Sequence, residues 1–323
     1  MRRWEHFYSA GDTIHLLNRN GGRRVRIVFY IQCVRGVFMT GPKRVAAIHD
    51  ISGIGRCSLT VIIPVLSAMG VQVCPVPTAV LSAHTGYGEF VMRDLTDFIS
   101  PALEHYKKLG TEFDCIYSGF LASGEQIDHC LDFFASYPEA LKVVDPVMGD
   151  GGKCYATYTK DMCDRMSELA AVADIITPNL TEAAILLGEE YPSAPMRSSE
   201  AKSWLARLAE LGPKTVVITS VPVAEGGIAT VGYDKERSSF WKIINDYVPI
   251  SYSGSGDMFA SVLIGGILKG DSLPIAMNRA TSFTQLAIKT TYSYGTKWTD
   301  GIMLETQLPW LTGYQELSDF TDL

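Results

Sequence analysis

From Lys43 onward, short apolar runs alternate with stretches of helical period. Val45–Ile48 reads as a buried strand, and Ser58–Met69 repeats apolar residues at helical spacing until Gly70 stops it. Val71–Pro75 is the next strand. Phe113–Tyr117 and Lys142–Val144 are further buried strands, with the amphipathic helix Gln126–Ser136 between them. Ile175–Thr177 and Val216–Thr219 follow, separated by helices near Thr181–Leu187 and Ser199–Leu211. Ile228–Tyr233 and Phe240–Ile244 form a late antiparallel pair, and helices over Gly256–Lys269 and Ser272–Thr290 close the series.

This alternation predicts an α/β fold: a mostly parallel central sheet with helices on both faces. On such sheets ligands sit at the carboxyl ends of the strands, so residues just after each apolar run are the candidates for chemistry. No repeat, low-complexity tract or interdomain linker interrupts the series.

Composition refines the boundaries. Of 323 residues, 47% are hydrophobic and 20% charged, ordinary for a globular domain with a sizeable core. The net charge of −7 argues against a general nucleic-acid or anionic-membrane binder. Residues 1–38 stand apart, with seven Arg against Glu5 and Asp12, a balance of +5 that leaves −12 on the rest. Their strand signal is confined to Val25–Ile31, and their apolar stretch is too short and interrupted for a membrane anchor. The expected organisation is an N-terminal extension over 1–38 outside the fold, with a natural start at Met39, a single folded domain over 39–312 and an acidic tail over 313–323 that frays. The cysteines (Cys33, Cys57, Cys74, Cys115, Cys130, Cys154, Cys163) show neither a C-x-x-C pair nor zinc spacing. An odd, scattered set without a signal peptide reads as reduced thiols in the cytoplasm.

The most telling segment is Ser253-Gly254-Ser255-Gly256-Asp257, followed at once by the apolar helix from Met258. Two glycines let the backbone approach a ligand closely, and a helix N-terminus offers unpaired N–H groups to phosphate oxygens. An Asp there can take a proton from a hydroxyl aimed at the phosphate, although an Asp that merely caps the helix gives the same pattern. No Walker loop is present, so a P-loop enzyme is unsupported. Asp145 ends a buried strand and leads into the glycine-rich Met148–Gly152 loop. Asp174–Glu182 places Asn179 and Glu182 at another strand end, where Glu182 is either a capping carboxylate or one that holds water on Mg²⁺. Asp50 and Ser52, after the first strand, suit either a polar ligand or a helix cap. His84 and Thr85, in a second strand-end loop, suit a ligand or a plain turn.

Together these segments resemble the pyridoxal kinases of the ribokinase superfamily. Ser253–Asp257 looks like the Gly-Thr-Gly-Asp signature, Asp145–Asp150 like Asp-Pro-Val-Met/Leu-Gly-Asp, and Asp174–Glu182 like Ala-Asp-Ile-Ile-Thr-Pro-Asn-x-x-Glu. His84-Thr85 with Tyr87 and Tyr117–Phe120 are similar to two more of the family's elements, in the right order. The resemblance runs from about Lys43 to Leu311 and implies a ribokinase-like fold and ATP-dependent phosphorylation of the hydroxymethyl group of pyridoxal and related B6 vitamers. It makes Asp257 the base, and the N–H groups of Gly254, Ser255 and Gly256 the anion hole. Asp145 and Glu182 would organise Mg²⁺, supported by Asn179, while Thr219 and Ser220 contact the nucleotide. The substrate pocket would take Asp50, Ser52, His84, Thr85 and Phe120. A homodimer and a response to a monovalent cation also follow from the resemblance. Asp50-Ile51-Ser52-Gly53 is closer to the Asp-Pro-Ser-Gly-Gly of hydroxymethylpyrimidine kinases, which keeps that substrate as the alternative. A non-catalytic ligand-binding protein of the same fold is the third reading.

Overall fold

The computed structural model describes residues 5–7, 13–20, 23–30 and 41–323, apart from 156–157, 224–226, 314–316 and 318. The chain divides into two units, Met1–Gly41 and Pro42–Leu323.

The larger unit is built on a ten-stranded sheet. Its strands are β1 (Arg44–Ile54), β2 (Gln72–Ala83), β3 (Met92–Asp94), β4 (Cys115–Ser118), β5 (Leu141–Val144), β6 (Ile175–Ile176), β7 (Thr215–Pro222), β8 (Ile228–Asp234), β9 (Ser239–Asn245) and β10 (Thr321–Asp322). The order across the sheet is β10-β9-β8-β7-β6-β5-β4-β1-β2-β3. The six strands from β7 to β2 run parallel, and β3 at one edge and β8–β10 at the other are antiparallel. After β1 the chain moves outward to β2 on one side and then returns to β4 on the other. The carboxyl ends of β1 and β4 therefore form a topological switch point, where the diverging connections leave a crevice.

Alternation of side chains sends each strand's apolar residues to two cores. One face carries α1 (Leu59–Ala68), α7 (Ser255–Leu268) and α8 (Leu273–Tyr294), packed on Val45, Ala47, Tyr117, Val143, Ile175 and Val217. The other carries α2 (Thr96–Lys108), α3 (Gly124–Ser136), α4 (Lys160–Val172), α5 (Leu180–Leu187) and α6 (Ser198–Glu210), packed on Ala46, Ile48, Ile116, Val144, Ile176 and Val216. Burial on both faces is why the central strands are continuous apolar runs.

Every element expected from the pattern is present. Two helices, α2 and α4, and the edge strand β3 were not expected. The tail is corrected at its end, because Thr321 and Asp322 pair with Lys242 and Trp241 and extend the sheet instead of fraying. Among the described residues no helix is long and apolar enough to cross a membrane.

The smaller unit is a three-stranded antiparallel sheet of Glu5–Phe7, Thr13–Asn20 and Arg23–Tyr30. Its hairpin runs in register from Thr13 opposite Tyr30 to Asn20 opposite Arg23. The first two of these strands were not expected. Ile31, the end of the expected strand, and Met39 lie outside the described residues.

Candidate active site

The register of the parallel strands fixes the floor of the site. Ile48, Ser118, Val144 and Ile176 lie side by side, so the next residues, His49, Gly119, Asp145 and Thr177, form a row at the strand ends. By alternation the side chains of His49, Asp145 and Thr177 share the face that carries α7. The start of α7 closes over this row: a methyl group on Gly256 would lie 3.9 Å from Asp145 Oδ2, and Asp257 Oδ1 lies 3.9 Å from His49 Nδ1.

Gly254 precedes α7 in the left-handed conformation, with φ 83°, and a Cβ there would meet the Arg56 carbonyl at 2.3 Å. Only glycine fits both demands. The N–H of Ser255 donates to the Tyr252 carbonyl at 3.3 Å, whereas those of Gly254 and Gly256 find no acceptor among the described residues. These two are the donors left open to an anion, so the expected three-donor hole is reduced to two plus the helix end itself.

Asp257 Oδ2 accepts the N–H of Ser58 at 2.7 Å, and its side chain keeps 13% of its surface open. Burial raises its pKa to about 6, and the Asp50 carboxylate adds to the rise while the Ser58 N–H opposes it. That value suits a base that is ionised at neutral pH yet can still accept a proton. Ser58 holds φ 48°, a left-handed backbone that a serine adopts only under constraint. Asp50 is also buried, which raises its pKa, and it accepts the Ser52 hydroxyl at 3.1 Å.

Burial drives the Asp145 pKa well up, the neighbouring Glu182 and Asp257 carboxylates push it further, and no hydrogen bond from the described residues relieves it. Glu182 is buried too and rises to about 8, but backbone N–H groups of Asn179 (2.8 Å) and Met148 (3.1 Å) hold its two oxygens. Asn179 completes a capping box at the start of α5, accepting the Glu182 N–H at 3.0 Å and donating to the Gly149 carbonyl at 2.8 Å. Gly152 donates to the Thr181 hydroxyl at 2.9 Å, which ties the Gly149–Cys154 hairpin to the same helix start. Thr219 N–H donates to the Pro178 carbonyl at 3.0 Å, and Ser220 follows with φ 59° in a bulge of β7. Among the described residues no three His, Cys, Asp or Glu side chains converge closely enough to cage a metal alone.

An open helix end beside three buried carboxylates at a switch point is a phosphoryl-transfer geometry, and known proteins agree. Residues 63–301 match the family model for phosphomethylpyrimidine kinase. The Arabidopsis thaliana pyridoxal kinase is 30% identical over 241 residues, 70% of this chain and 75% of that protein. The crystal structure of a candidate phosphomethylpyrimidine kinase from Bacteroides thetaiotaomicron superposes with a TM-score of 0.85 at 42% identity, covering 89% of this chain and all of the other. The pyridoxal kinase of Lactobacillus plantarum gives 0.76 at 30% identity, covering 83% and 96%. The chain belongs to this family of ribokinase-like kinases.

Within the kinase, the expected site residues fall into three groups. Asp257, Gly254, Ser255, Gly256, Asp145, Asp50 and Ser52 gather at the switch point. Asn179, Glu182, Thr219 and Ser220 gather at the α5 start, coupled to the first group through the repulsion between Glu182 and Asp145. His84 and Thr85 belong to a third group. His84 Nδ1 accepts the Gly86 N–H at 3.1 Å, so its Nε2 carries the proton donated to the Thr299 carbonyl at 2.7 Å. Both nitrogens are therefore engaged by backbone, and His84 can line a pocket only through its ring face. Thr85 is exposed, and Phe120 is half-buried with its ring edge-on to Tyr158.

Sequence reasoning assigned no role to three residues that the fold brings to the site. His49 was visible beside Asp50, but nothing local aims it at Asp257. Ser58 read as a helix start, and its N–H reaches Asp257 across 199 positions. Tyr117 read as core, yet its buried hydroxyl has no partner among the described residues, and its pKa is raised by burial and further by the charges of Asp145, Asp257 and Glu182.

Proposed function

We propose that this kinase transfers the γ-phosphoryl group of ATP to the 5′-hydroxymethyl group of pyridoxal and related B6 vitamers. The observation that carries the reading is Asp257: a carboxylate with a raised pKa, partly open, in the first turn of a helix where the N–H groups of Gly254 and Gly256 find no acceptor among the described residues. Its relatives support the substrate. Pyridoxal kinases recur among them, and the Bacteroides protein, 43% identical in a second crystal form, was solved with pyridoxal.

The chemistry follows from alignment and charge. The acceptor hydroxyl sits against Asp257, which takes its proton as the oxygen attacks phosphorus. The N–H groups of Gly254 and Gly256 face the transferring phosphoryl oxygens, and the α7 N-terminus favours their negative charge. Thr219 and Ser220, at the end of β7, flank the nucleotide. Asp50 and Ser52 stand behind Asp257, while His84, Thr85 and Phe120 border the ring pocket.

The donor set fits Mg²⁺. Asp145 is a buried carboxylate with no hydrogen bond from the described residues and two like charges beside it, a position a cation relieves. Mg²⁺ is commonly bound by one or two carboxylates together with substrate phosphates and water. Asp145 would hold it directly, and Glu182, fixed by two backbone N–H groups, would hold one of its waters. When bound, the ion neutralises charge on the ATP phosphates. A monovalent cation beside the nucleotide belongs to the same reading.

The larger unit, Pro42–Leu323, is proposed to be the complete catalytic domain, with residues 1–38 dispensable for it. A homodimer is proposed through the sheet edge, where Ile54, Val80, Val91 and Met92 are exposed around β2 and β3. The test is ATP consumption with Mg²⁺ on pyridoxal, pyridoxine, pyridoxamine and hydroxymethylpyrimidine. Turnover led by a B6 vitamer is expected. Turnover led by the pyrimidine would transfer the reading to the alternative substrate, and silence on all four would withdraw it.

A further inference from the structure

His49 is fully buried, and neither ring nitrogen has a hydrogen-bond partner among the described residues. A buried polar atom left unpaired is costly, so a side chain with two of them calls for a reason. The ring cannot turn away to find other partners. It packs on Tyr117 with centroids 4.3 Å apart, and the Gly119 backbone lies so close that a Cβ there would come within 2.0 Å of His49 Cε1. Thus confined, Nδ1 faces Asp257 Oδ1 at 3.9 Å.

We propose that His49 is a positioning residue for Asp257: a neutral imidazole whose Nδ1–H engages Oδ1 when substrate closes the site. The inference rests on Asp257 being the base. Oδ2 is already held by the Ser58 N–H at 2.7 Å. A second donor on Oδ1 would fix the carboxylate at both oxygens and leave a remaining lone pair to take the hydroxyl proton. The separation of 3.9 Å is too long for a hydrogen bond, and catalytic hydrogen bonds often shorten only in the substrate complex.

His49 is not itself a base or a proton relay. Burial holds its pKa down at about 3, so an imidazolium there is strongly disfavoured. The groups around it are Asp257 on α7, Asp50 on its own strand and Tyr117 on β4. The neutral Nδ1–H tautomer meets the carboxylate with a donor and adds no charge to the floor of the site. The close fit also explains Gly119, since any side chain at that position would displace the ring.

The test compares His49→Gln, which keeps an amide donor, with His49→Leu, which keeps bulk and loses the donor. His49→Gln is expected to hold kcat within about threefold, while His49→Leu loses about tenfold to a hundredfold in kcat with KM for both substrates nearly unchanged. Equal turnover by His49→Leu and the wild type would overturn the proposal, as would equal losses in the two variants, which would mark a packing role. A ¹⁵N-histidine spectrum of the wild-type protein, assigned with His49→Gln, provides a readout independent of turnover and of any variant's folding. A neutral Nδ1–H tautomer whose signal moves in Asp257→Asn supports the proposal, and an Nε2–H tautomer contradicts it. If no substrate is phosphorylated by the wild type, the kinase reading fails while the spectrum still decides the contact.

Discussion

Two helices of this molecule begin in the same way and are used differently. Both α5 and α7 carry a carboxylate at the third residue of the helix, Glu182 in one and Asp257 in the other. At α5 the structure closes on itself. Asn179 and Glu182 exchange hydrogen bonds, and both Glu182 oxygens are occupied by backbone N–H groups. At α7 the corresponding cap is Gly254, which has no side chain to offer. Its N–H and that of Gly256 find no acceptor among the described residues, and Asp257 turns to a distant N–H, that of Ser58. A capping box stabilises a helix by satisfying its end, whereas leaving that end open stores donors for a ligand. The comparison teaches that occupancy, more than residue type, separates a structural carboxylate from a catalytic one.

The largest effect that sharpens this contrast is expected at Asp257. Asp257→Asn should lower kcat by about 10²–10⁴-fold while nucleotide affinity, measured by direct titration, stays near wild type. A loss below tenfold would return Asp257 to the status of a cap. Next comes Gly254→Ala, which strains a positive φ and drives a methyl group into the Arg56 carbonyl. It should cost about 1–3 kcal/mol in denaturant unfolding and most of the activity. Gly188→Ala is its control: Gly188 ends α5 at φ 65° with open space around a Cβ, so it should cost about 1–2 kcal/mol and leave kcat unchanged. Asn179→Ala should destabilise by about 1 kcal/mol through the lost cap, with a smaller fall in kcat than either site variant. The smallest effect is expected from deleting residues 1–38, which should change the stability of the larger unit by less than about 0.5 kcal/mol.

Much of this was legible beforehand, and the reason is physical. Runs such as Val216-Val217-Ile218 are buried on both faces and leave no ambiguity about a central strand. The parts that escaped lack that signature. All three residues of β3 are exposed, so no pattern marks it. In α2, Pro101 is the sixth residue of the helix, where the missing N–H makes it read as a breaker. The carboxylates and glycines of the site were readable because each stands at a strand or helix end. Their partners were not, since His49 and Ser58 reach Asp257 only through the register of β1 against β4 and the packing of α1 beside α7. The same limit applied to His84, whose Nε2 proved to donate to the Thr299 carbonyl, 215 positions away.

The most direct test of the central claim is the pH dependence of single-turnover phosphoryl transfer in the wild type and in Asp257→Asn. Burial raises the Asp257 pKa to about 6, so the carboxylate is ionised above that pH and protonated below it. The account predicts a wild-type rate that falls about tenfold per unit below about pH 6, with this limb absent from the slow Asp257→Asn enzyme. An acid limb that persists unchanged in Asp257→Asn would show that another group is the base.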